Sequence, residues 1–355
     1  MTQNMLDGVQ VEPAAPAGEV AELSTIVRNA DYPLGDRIEA LEDIMSLEIG
    51  DTRMVRARHL ERERGIRQCF LKYEGDNPTG TQKDRIAFAQ TLDALRRGYG
   101  TLALATCGNY GVACAYACWL AGIDCKIFLP ESYHSQRIAE MERFGAEVLR
   151  LPGTYEAVVE QSSALARHQH WYDANPGGAN TPIQIRAYAQ IAYEIYDQLR
   201  DAPRYCACPV SNGTVLAGVY RGFVTLYKRG RTSRIPVMVA GSSAYKNPII
   251  AARKRGLDHC PDLNPARIRE TATNEALINW RSFDGAEALD ALNRTNGFAA
   301  HVSDRRMKSM TTLLHQTEGM RVLPAATAGL IALLDVHESE PLKNDRFVAV
   351  LTAKQ

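Results

Sequence analysis

Strand-like and helix-like segments alternate in the middle of the chain, and this alternation is what most constrains the fold. The runs "TLALAT" (101–106), "CKIFLP" (125–130) and "EVLRLPG" (147–153) have the length and flanking turn residues of buried strands. Each precedes a segment with helical spacing, such as "TYEAVVEQSSALARHQ" (154–169). Short connections between such strands and helices predict an α/β fold with a parallel sheet covered by helices.

A second set of segments repeats this pattern later in the chain. "PIQIRAYAQIAYEIYDQL" (182–199) reads as a helix, and "YCACPV" (205–210), "IPVMVAGSS" (235–243) and "RFVAVLT" (346–352) read as strands. The chain of 355 residues is long enough for two such α/β layers. We expect the segment before Gly100 to pair with the later set.

Composition excludes several classes of function. Lys plus Arg and Asp plus Glu number 41 each, so no net charge favours nucleic acid or an anionic membrane. No apolar run reaches the roughly 20 residues that span a bilayer, and the N-terminus lacks the pattern of a signal peptide. We therefore expect a cytoplasmic protein that binds neither nucleic acid nor membrane.

The eight cysteines are expected to be reduced and mostly buried, because several lie in apolar segments of a long chain without a secretory signal. Cys206 and Cys208 have the spacing of a pair of metal ligands, but no second pair and no histidine lies nearby. A buried strand is the favoured interpretation over a zinc site, so no metal is expected.

Lys83 lies where the turn residues of "NPTGTQKDR" (77–85) give way to a helix. An amine at a helix N-terminus faces the positive end of the helix dipole, and partial burial there lowers the pKa of the lysine. Such a lysine can form a Schiff base with a carbonyl compound. The alternative is an ordinary solvated lysine that pairs with Asp84 or Glu74.

Two turns join a predicted strand to a predicted helix and carry polar residues. The first contains Thr106, Cys107, Gly108, Asn109 and Tyr110, and the second contains Ser211, Asn212, Gly213, Thr214 and Val215. Unpaired backbone N–H groups at a helix N-terminus bind anions, so the first turn could hold a carboxylate and the second a phosphate. Each turn could instead be a plain helix cap.

Thr352 is the fourth candidate, at the carboxyl end of the last predicted strand. Open α/β sheets bind ligands at the carboxyl ends of their strands, so its hydroxyl could meet a ring nitrogen. An ordinary threonine at a strand end is the alternative.

Taken in chain order, these four features resemble the fold-type II pyridoxal-phosphate enzymes, and most closely their threonine synthase branch. The motif NPTG-x-x-KDR at Asn77 to Arg85 is similar to the branch's NPTGS-x-KDR. "TEGMRVLPAATAGLIAL" (317–333) resembles its EG-x-x-x-x-PA-x-A segment, and "YAQIAYEI" (188–195) resembles its middle helix. The resemblance covers roughly residues 45 to 352.

The resemblance implies a role for each candidate. Lys83 would form the Schiff base with pyridoxal 5'-phosphate and later move the Cα proton of the substrate. Asn109 would contact the cofactor's 3-hydroxyl group, the Ser211–Val215 loop would hold its phosphate, and Thr352 would face its ring nitrogen. A neutral hydroxyl at that nitrogen favours elimination chemistry. Residues 106–110 would bind the substrate carboxylate.

The resemblance also implies an organisation of two three-layer αβα domains with mostly parallel, twisted sheets. Residues 1–20 would be a flexible tail, residues 21–95 plus 180–355 the large cofactor-binding domain, and residues 96–179 a small mobile domain. A homodimer is expected, because it is usual in this family.

The sequence departs from the threonine synthase pattern mainly on the substrate side. Ala189 stands where that branch has a lysine, and Arg53, Lys246 or Arg186 could supply a replacement phosphate contact. Cys107 is expected to line the pocket, with a nucleophilic role as the alternative.

The expected activity is β- or γ-elimination or replacement on a small amino acid, either by threonine synthase itself or by a specialised relative that uses an activated serine or homoserine. An ammonia lyase or racemase of the threonine deaminase type is the second hypothesis. An inactive homologue with a regulatory role is the third.

Overall fold

The structure is a computed structural model that describes residues 18–106, 108–133, 137–342 and 345–355. Cys107 and most of the predicted tail therefore lie outside the described residues. Glu19 and Val20, which the prediction counted with that tail, begin a helix.

Helices make up most of the regular structure. The α-helices are α1 (Glu19–Arg28), α2 (Leu34–Glu48), α3 (Arg58–Arg64), α4 (Lys83–Arg96), α5 (Asn109–Ala121), α6 (Ile138–Arg143), α7 (Tyr155–His168), α8 (Thr181–Leu199), α9 (Thr214–Lys228), α10 (Pro248–Arg255), α11 (Gly285–Arg294), α12 (Asp304–Glu318) and α13 (Ala328–Ser339). Short 3₁₀ turns lie at Glu74–Asp76, Gly178–Asn180, Pro265–Arg267 and Pro324–Thr327.

The strands form two sheets. They are β1 (Met54–Arg56), β2 (Cys69–Tyr73), β3 (Thr101–Ala105), β4 (Asp124–Pro130), β5 (Glu147–Leu151), β6 (Tyr172–Asp173), β7 (Tyr205–Pro209), β8 (Val237–Ser243), β9 (Phe298–Val302) and β10 (Phe347–Leu351). One sheet has the order β1-β2-β10-β7-β8-β9 and the other β5-β4-β3-β6. Only the pair β1–β2 is antiparallel among these strands.

These sheets confirm the predicted α/β class with mostly parallel strands. The four-stranded sheet is built from strands between residues 101 and 173, and the six-stranded sheet takes its strands from both sides of that segment. The domain boundaries themselves, and the mobility of the small domain, stay predictions.

The central strands of the six-stranded sheet are fully buried, and neighbouring helices pack closely on each other. All five residues of β7 and of β10 are buried, as expected for parallel strands covered on both faces. Helices α8 and α9 approach so closely that a Cβ added at Gly222 would lie 2.6 Å from the carbonyl oxygen of Ala189. None of the helices in the described part of the chain is long and apolar enough to cross a membrane.

The order of the strands brings three predicted site segments to one edge. Strands β2, β10 and β7 are parallel neighbours, so their carboxyl ends lie side by side. The turn before Lys83 follows β2, Thr352 follows β10, and the 211–215 loop follows β7. The 106–110 turn follows β3 of the other sheet.

Candidate active site

Lys83 is the first residue of α4 and lies beside the end of β10. The backbone N–H of Gln82 donates to the carbonyl of Thr352 at 2.9 Å, and Thr81 forms a β-bridge with Ala353. The Lys83 amine lies 5.5 Å from the centre of the Tyr110 ring and has no hydrogen bond or ion pair among the described residues. The lysine is thus held at its backbone while its amine stays available for reaction.

Burial lowers the pKa of the Lys83 amine to about 8, although the nearby Asp284 acts in the opposite direction. A fraction of the amine is therefore neutral near physiological pH. The neutral amine is the form that attacks a carbonyl carbon.

The two carboxylates that could have paired with Lys83 have other partners. Asp84 accepts hydrogen bonds from the Thr79 backbone N–H at 3.0 Å and from its hydroxyl at 2.7 Å, and burial raises the pKa of Asp84 to about 7. Glu74 accepts two hydrogen bonds from Arg85. The contacts therefore do not match the interpretation of Lys83 as a solvated, paired lysine.

The turn between β3 and α5 brings backbone N–H groups to the N-terminus of α5. Gly108 has φ 140°, a conformation that glycine adopts without strain, and its N–H donates to the hydroxyl of Thr106 at 3.2 Å. The N–H groups of Asn109, Tyr110 and Gly111 have no partner within the described ranges. Three converging donors at a helix N-terminus suit a carboxylate.

Tyr110 presents its ring and not its hydroxyl to this site. The hydroxyl donates to the carbonyl of Ala174 at 2.8 Å and accepts a hydrogen bond from Gln90. Burial also raises the pKa of Tyr110 well above its usual value, so the phenol stays protonated. Only the backbone N–H of Tyr110 remains to bind a carboxylate, as residues 106–110 were predicted to do.

Asn109 has a partner that the sequence did not predict. Its Oδ1 accepts a hydrogen bond of 2.7 Å from Nη1 of Arg137, at the start of α6. Nη2 of Arg137 also donates to the carbonyl of Thr79 at 3.2 Å. This arginine joins the 106–110 turn to the turn that precedes Lys83.

The loop between β7 and α9 is a second cluster of unused donors. No hydrogen bond within the described part of the chain satisfies the backbone N–H groups from Ser211 to Leu216. Gly213 has φ 96°, and a Cβ there would lie 2.6 Å from Cβ of Ala288, so the backbone conformation and the packing both require glycine. Together with the dipole of the 15-residue helix α9, these donors are suited to an anion such as phosphate.

Asp284 holds the 211–215 loop through hydrogen bonds. The sequence did not predict this residue as part of the site. Its carboxylate accepts hydrogen bonds from the hydroxyls of Thr214, at 2.5 Å, and Thr181, at 2.6 Å. Only 2% of Asp284 is exposed, and burial raises the pKa of its carboxyl. The Thr214 hydroxyl is thus engaged, and the loop offers mainly backbone groups to an anion.

Thr352 follows β10 directly, although the sequence pattern placed it inside the strand. It is 7% exposed, and its hydroxyl has no hydrogen-bond partner in the part of the chain that the structure describes. The hydroxyl is therefore free to meet a ligand at the sheet edge.

Four charged side chains lie beneath the site. Arg85 donates to Glu74 and to Glu194, and Lys72, which is fully buried, donates to Glu194 at 2.6 Å. The two cations and two carboxylates balance each other, which makes their burial tolerable. The network ties α4 and α8 to β2, so it supports the helix that begins at Lys83.

Tyr188 carries a polar atom without a partner. Its hydroxyl is buried and forms no hydrogen bond among the described residues. Burial raises the pKa of Tyr188 well above its usual value, and the nearby Glu74 and Asp284 act in the same direction. An unpaired buried hydroxyl next to the site suits a ligand with a polar group.

The cations considered as replacement phosphate contacts are engaged elsewhere or exposed. Arg53 pairs with Asp76 at 3.3 Å, Lys246 donates to the carbonyl of Arg269 at 2.6 Å, and Arg186 is exposed. Ala189 is packed against α9. Arg137 is the cation that the structure places on the 106–110 turn.

The described cysteines are free thiols, and six of these seven are buried. Within the described ranges, no group of three or more His, Cys, Asp or Glu side chains is arranged to hold a metal ion. Cys206 and Cys208 both lie in β7.

The donor set fits pyridoxal phosphate. The unused N–H groups of residues 211–216 match a phosphate, and the unpaired Lys83 amine matches an aldehyde. The Asn109 amide nitrogen and the Thr352 hydroxyl have no partner among the described residues, so each could meet one polar atom of a ring. The unused N–H groups of residues 109–111 match the carboxylate of an amino acid.

Comparison with protein families gives one match over most of the chain. The model described as "Pyridoxal-phosphate dependent enzyme" matches residues 45–353.

Curated relatives carry the name threonine synthase. That of Methanocaldococcus jannaschii is 29% identical over 312 residues, which cover 87% of this chain and 75% of the relative. That of Mycobacterium tuberculosis is 26% identical over 286 residues, which cover 80% of this chain and 75% of the relative.

Solved structures share the fold at lower identity. A threonine deaminase from T.th. is 19% identical with a TM-score of 0.73, and the match covers 90% of this chain and 97% of that one. A pyridoxal 5'-phosphate-dependent aspartate racemase is 19% identical with a TM-score of 0.72, and the match covers 90% and 94%.

Proposed function

Because this chain belongs to the family of pyridoxal-phosphate-dependent enzymes, we propose that it catalyses β- or γ-elimination or replacement on a small amino acid with an activated side chain. It is a threonine synthase-like, pyridoxal-phosphate-dependent lyase or synthase. The observation that carries the proposal is the Lys83 amine, which lies beside the Tyr110 ring and near Asp284 and has no hydrogen bond or ion pair among the described residues.

Each part of the site has a task in such a reaction. The bound cofactor supplies the electron sink for bond cleavage at Cα of the substrate. Lys83 would hold the cofactor at its aldehyde carbon, and its amine would then accept and return the proton at Cα, for which a pKa of about 8 is well matched to neutral pH. The N–H groups of residues 109–111 hold the substrate carboxylate and orient Cα toward Lys83.

The environment of Thr352 favours elimination in this proposal. A hydroxyl at the cofactor's ring nitrogen carries no charge, so it does not enforce protonation of that nitrogen. An aspartate there would hold a proton on the ring and deepen the electron sink. With Thr352 at that position, the bound cofactor would instead favour expulsion of a leaving group from the substrate side chain.

We propose an ester of serine or homoserine as the substrate. The curated threonine synthases support this class, and conversion of O-phosphohomoserine to threonine is one case. The departure at Ala189 supports the other case, a specialised relative with a different leaving group or an added nucleophile. Arg137 is the cation nearest to the carboxylate turn by hydrogen bonding, so it is a candidate contact for an anionic leaving group.

A substrate screen tests the proposal. The phosphate and acetate esters of serine and homoserine are each mixed with the cofactor-loaded enzyme, with and without nucleophiles, and the spectrum and products are recorded. Lys83→Ala should lose turnover by several orders of magnitude, whereas Lys228→Ala, at an exposed position on α9, should not. Full turnover by Lys83→Ala would refute the mechanism.

The same screen separates the other activities. Release of a keto acid and ammonia from unactivated serine or threonine would point to a threonine deaminase-type lyase. Inversion at Cα without loss of a group would point to a racemase. A protein that binds the cofactor but transforms none of these compounds would point to an inactive homologue.

We also propose a homodimer in the cytoplasm with a mobile small domain, as the family resemblance suggests. Light scattering of the cofactor-loaded protein tests the oligomeric state.

A further inference from the structure

We propose that Arg137 is a positioning residue that turns the amide of Asn109 so that its NH₂ group, and not its oxygen, faces the cofactor's ring oxygen. The inference rests on the proposed cofactor contact of Asn109. What is new is the role of Arg137, which lies at the start of another helix and determines which end of the Asn109 amide faces the cofactor.

Glu140 fixes the guanidinium of Arg137. Nε donates to one carboxylate oxygen of Glu140 at 3.0 Å, and Nη2 donates to the other at 2.7 Å. This two-point contact sets the plane and direction of the guanidinium, and the two side chains lie three positions apart at the start of the same helix. The remaining edge of the guanidinium faces Asn109 and Thr79.

A guanidinium can only donate hydrogen bonds, so the group that meets it must accept. Asn109 therefore has to present Oδ1 to Nη1 of Arg137, and the observed distance of 2.7 Å is that of a charge-assisted bond. The opposite end of the amide, Nδ2, has no hydrogen-bond partner within the described part of the chain. Without Arg137, the amide could offer either end with little difference in energy.

The contact with Thr79 sets the distance as well as the direction. Nη2 of Arg137 donates to the Thr79 carbonyl, in the turn that leads to Lys83. The same guanidinium therefore fixes the position of the Asn109 side chain relative to the turn that carries Lys83. A displacement of a single donor by about 1 Å is enough to weaken a positioned contact strongly.

The pKa of Lys83 Nζ in the cofactor-loaded protein depends on which end of the Asn109 amide faces the ring oxygen. When Lys83 Nζ is bound to the cofactor's carbon, negative charge on the neighbouring ring oxygen helps to retain a proton on Nζ. A hydrogen-bond donor at that oxygen neutralises part of this charge and lowers the pKa of Nζ. Loss of the donor should therefore raise the pH midpoint of the cofactor's visible absorption change, by roughly one pH unit.

The test compares four forms of the cofactor-loaded protein by spectral pH titration: the wild type, Arg137→Met, Asn109→Ala and the double variant. Arg143→Met, at an exposed position on the same helix, is the matched control. We expect Arg137→Met and Asn109→Ala each to raise the midpoint, the double variant to match Asn109→Ala, and the control to keep the wild-type value. Non-additivity of this kind shows that one residue acts through the other.

Two results would overturn the inference: an unchanged midpoint in Arg137→Met, or an equal further shift when Arg137→Met is added to Asn109→Ala. Arg137→Gln serves if Arg137→Met does not fold, because a glutamine amide can donate or accept and no longer forces Asn109 to present its oxygen. It should raise the midpoint as Arg137→Met does, and an unchanged midpoint would contradict the positioning role. A wild-type protein without a visible cofactor band would instead refute the proposed function.

Discussion

The backbone N–H of Gln82 donates to the carbonyl of Thr352 at 2.9 Å, although 270 positions of sequence separate the two residues. Next to this bond, the N–H of Lys354 donates to the carbonyl of Gly80, also at 2.9 Å. The end of the last strand thus holds the turn that presents Lys83. Two backbone hydrogen bonds thus connect Thr352, the proposed contact of the ring nitrogen, to the turn of Lys83, the proposed nucleophile.

Gln82→Pro should weaken cofactor binding, because it removes the N–H that reaches Thr352. Gln82 has φ −56°, which proline adopts, and Thr81 before it lies in a β-bridge rather than in the helix. We expect a loss of about 1 kcal/mol in the free energy of unfolding and a clear drop in cofactor occupancy. Chemical denaturation and absorbance measure the two effects, and Gln82→Ala, which keeps the N–H, should change neither by much.

Capture of the cofactor by the cofactor-free protein should accelerate as the pH rises through about 8. Burial lowers the pKa of Lys83 to about 8, so the amine is mainly charged below that pH and mainly neutral above it. The neutral form is the nucleophile, and the rate should level off above the pKa. Stopped-flow absorbance with pyridoxal phosphate gives the midpoint, and a midpoint near 10.5 would contradict the burial effect.

Asp284→Asn should strengthen the binding of sulfate to the cofactor-free protein. The carboxylate lies beside the 211–215 loop and holds the Thr214 hydroxyl, so its charge opposes an anion there. Sulfate is a suitable probe because its charge is constant over the pH range of interest. The rise in melting temperature with added sulfate should be larger than in wild type, whereas Asp258→Asn, at an exposed position, should match wild type.

Removal of Lys72 and Glu194 together should cost less stability than the two separate removals add up to. Lys72→Met leaves Glu194 with Arg85 alone, and Glu194→Gln leaves the fully buried Lys72 without its carboxylate. We expect each single variant to lose roughly 3–5 kcal/mol of unfolding free energy. The double variant should lose clearly less than the sum, and additive losses in urea titrations would argue against coupling.

Local patterns in the sequence predicted the parts of the fold that depend on neighbouring residues. "TLALAT" forms β3 up to Ala105, and "TYEAVVEQSSALARHQ" forms α7, where the Thr154 hydroxyl accepts a hydrogen bond from the N–H of Ala157 as a helix cap. Lys83 begins α4, within the range expected from its turn. Apolar spacing and capping residues encode these features within a few positions of each other.

Side chains that meet across long stretches of chain could not be predicted in this way. Asp284 meets Thr214 and Thr181 over 70 and 103 positions, and Arg137 meets Asn109 over 28 positions. In the sequence, Asp284 and Arg137 each resemble an ordinary surface charge near the start of a helix. Only the packing of α8, α9 and α11 around the 211–215 loop makes Asp284 part of the site.

The place of β10 in the sheet has a consequence for how the protein is made. β10 is the final strand in sequence, yet it lies between β2 and β7 and separates them. A ribosome releases the chain from its N-terminus onward, so the turn with Lys83 and the phosphate loop emerge long before the strand that joins them. A growing chain therefore cannot bring the proposed ring-nitrogen contact, Thr352, beside the turn of Lys83 until translation has passed residue 352.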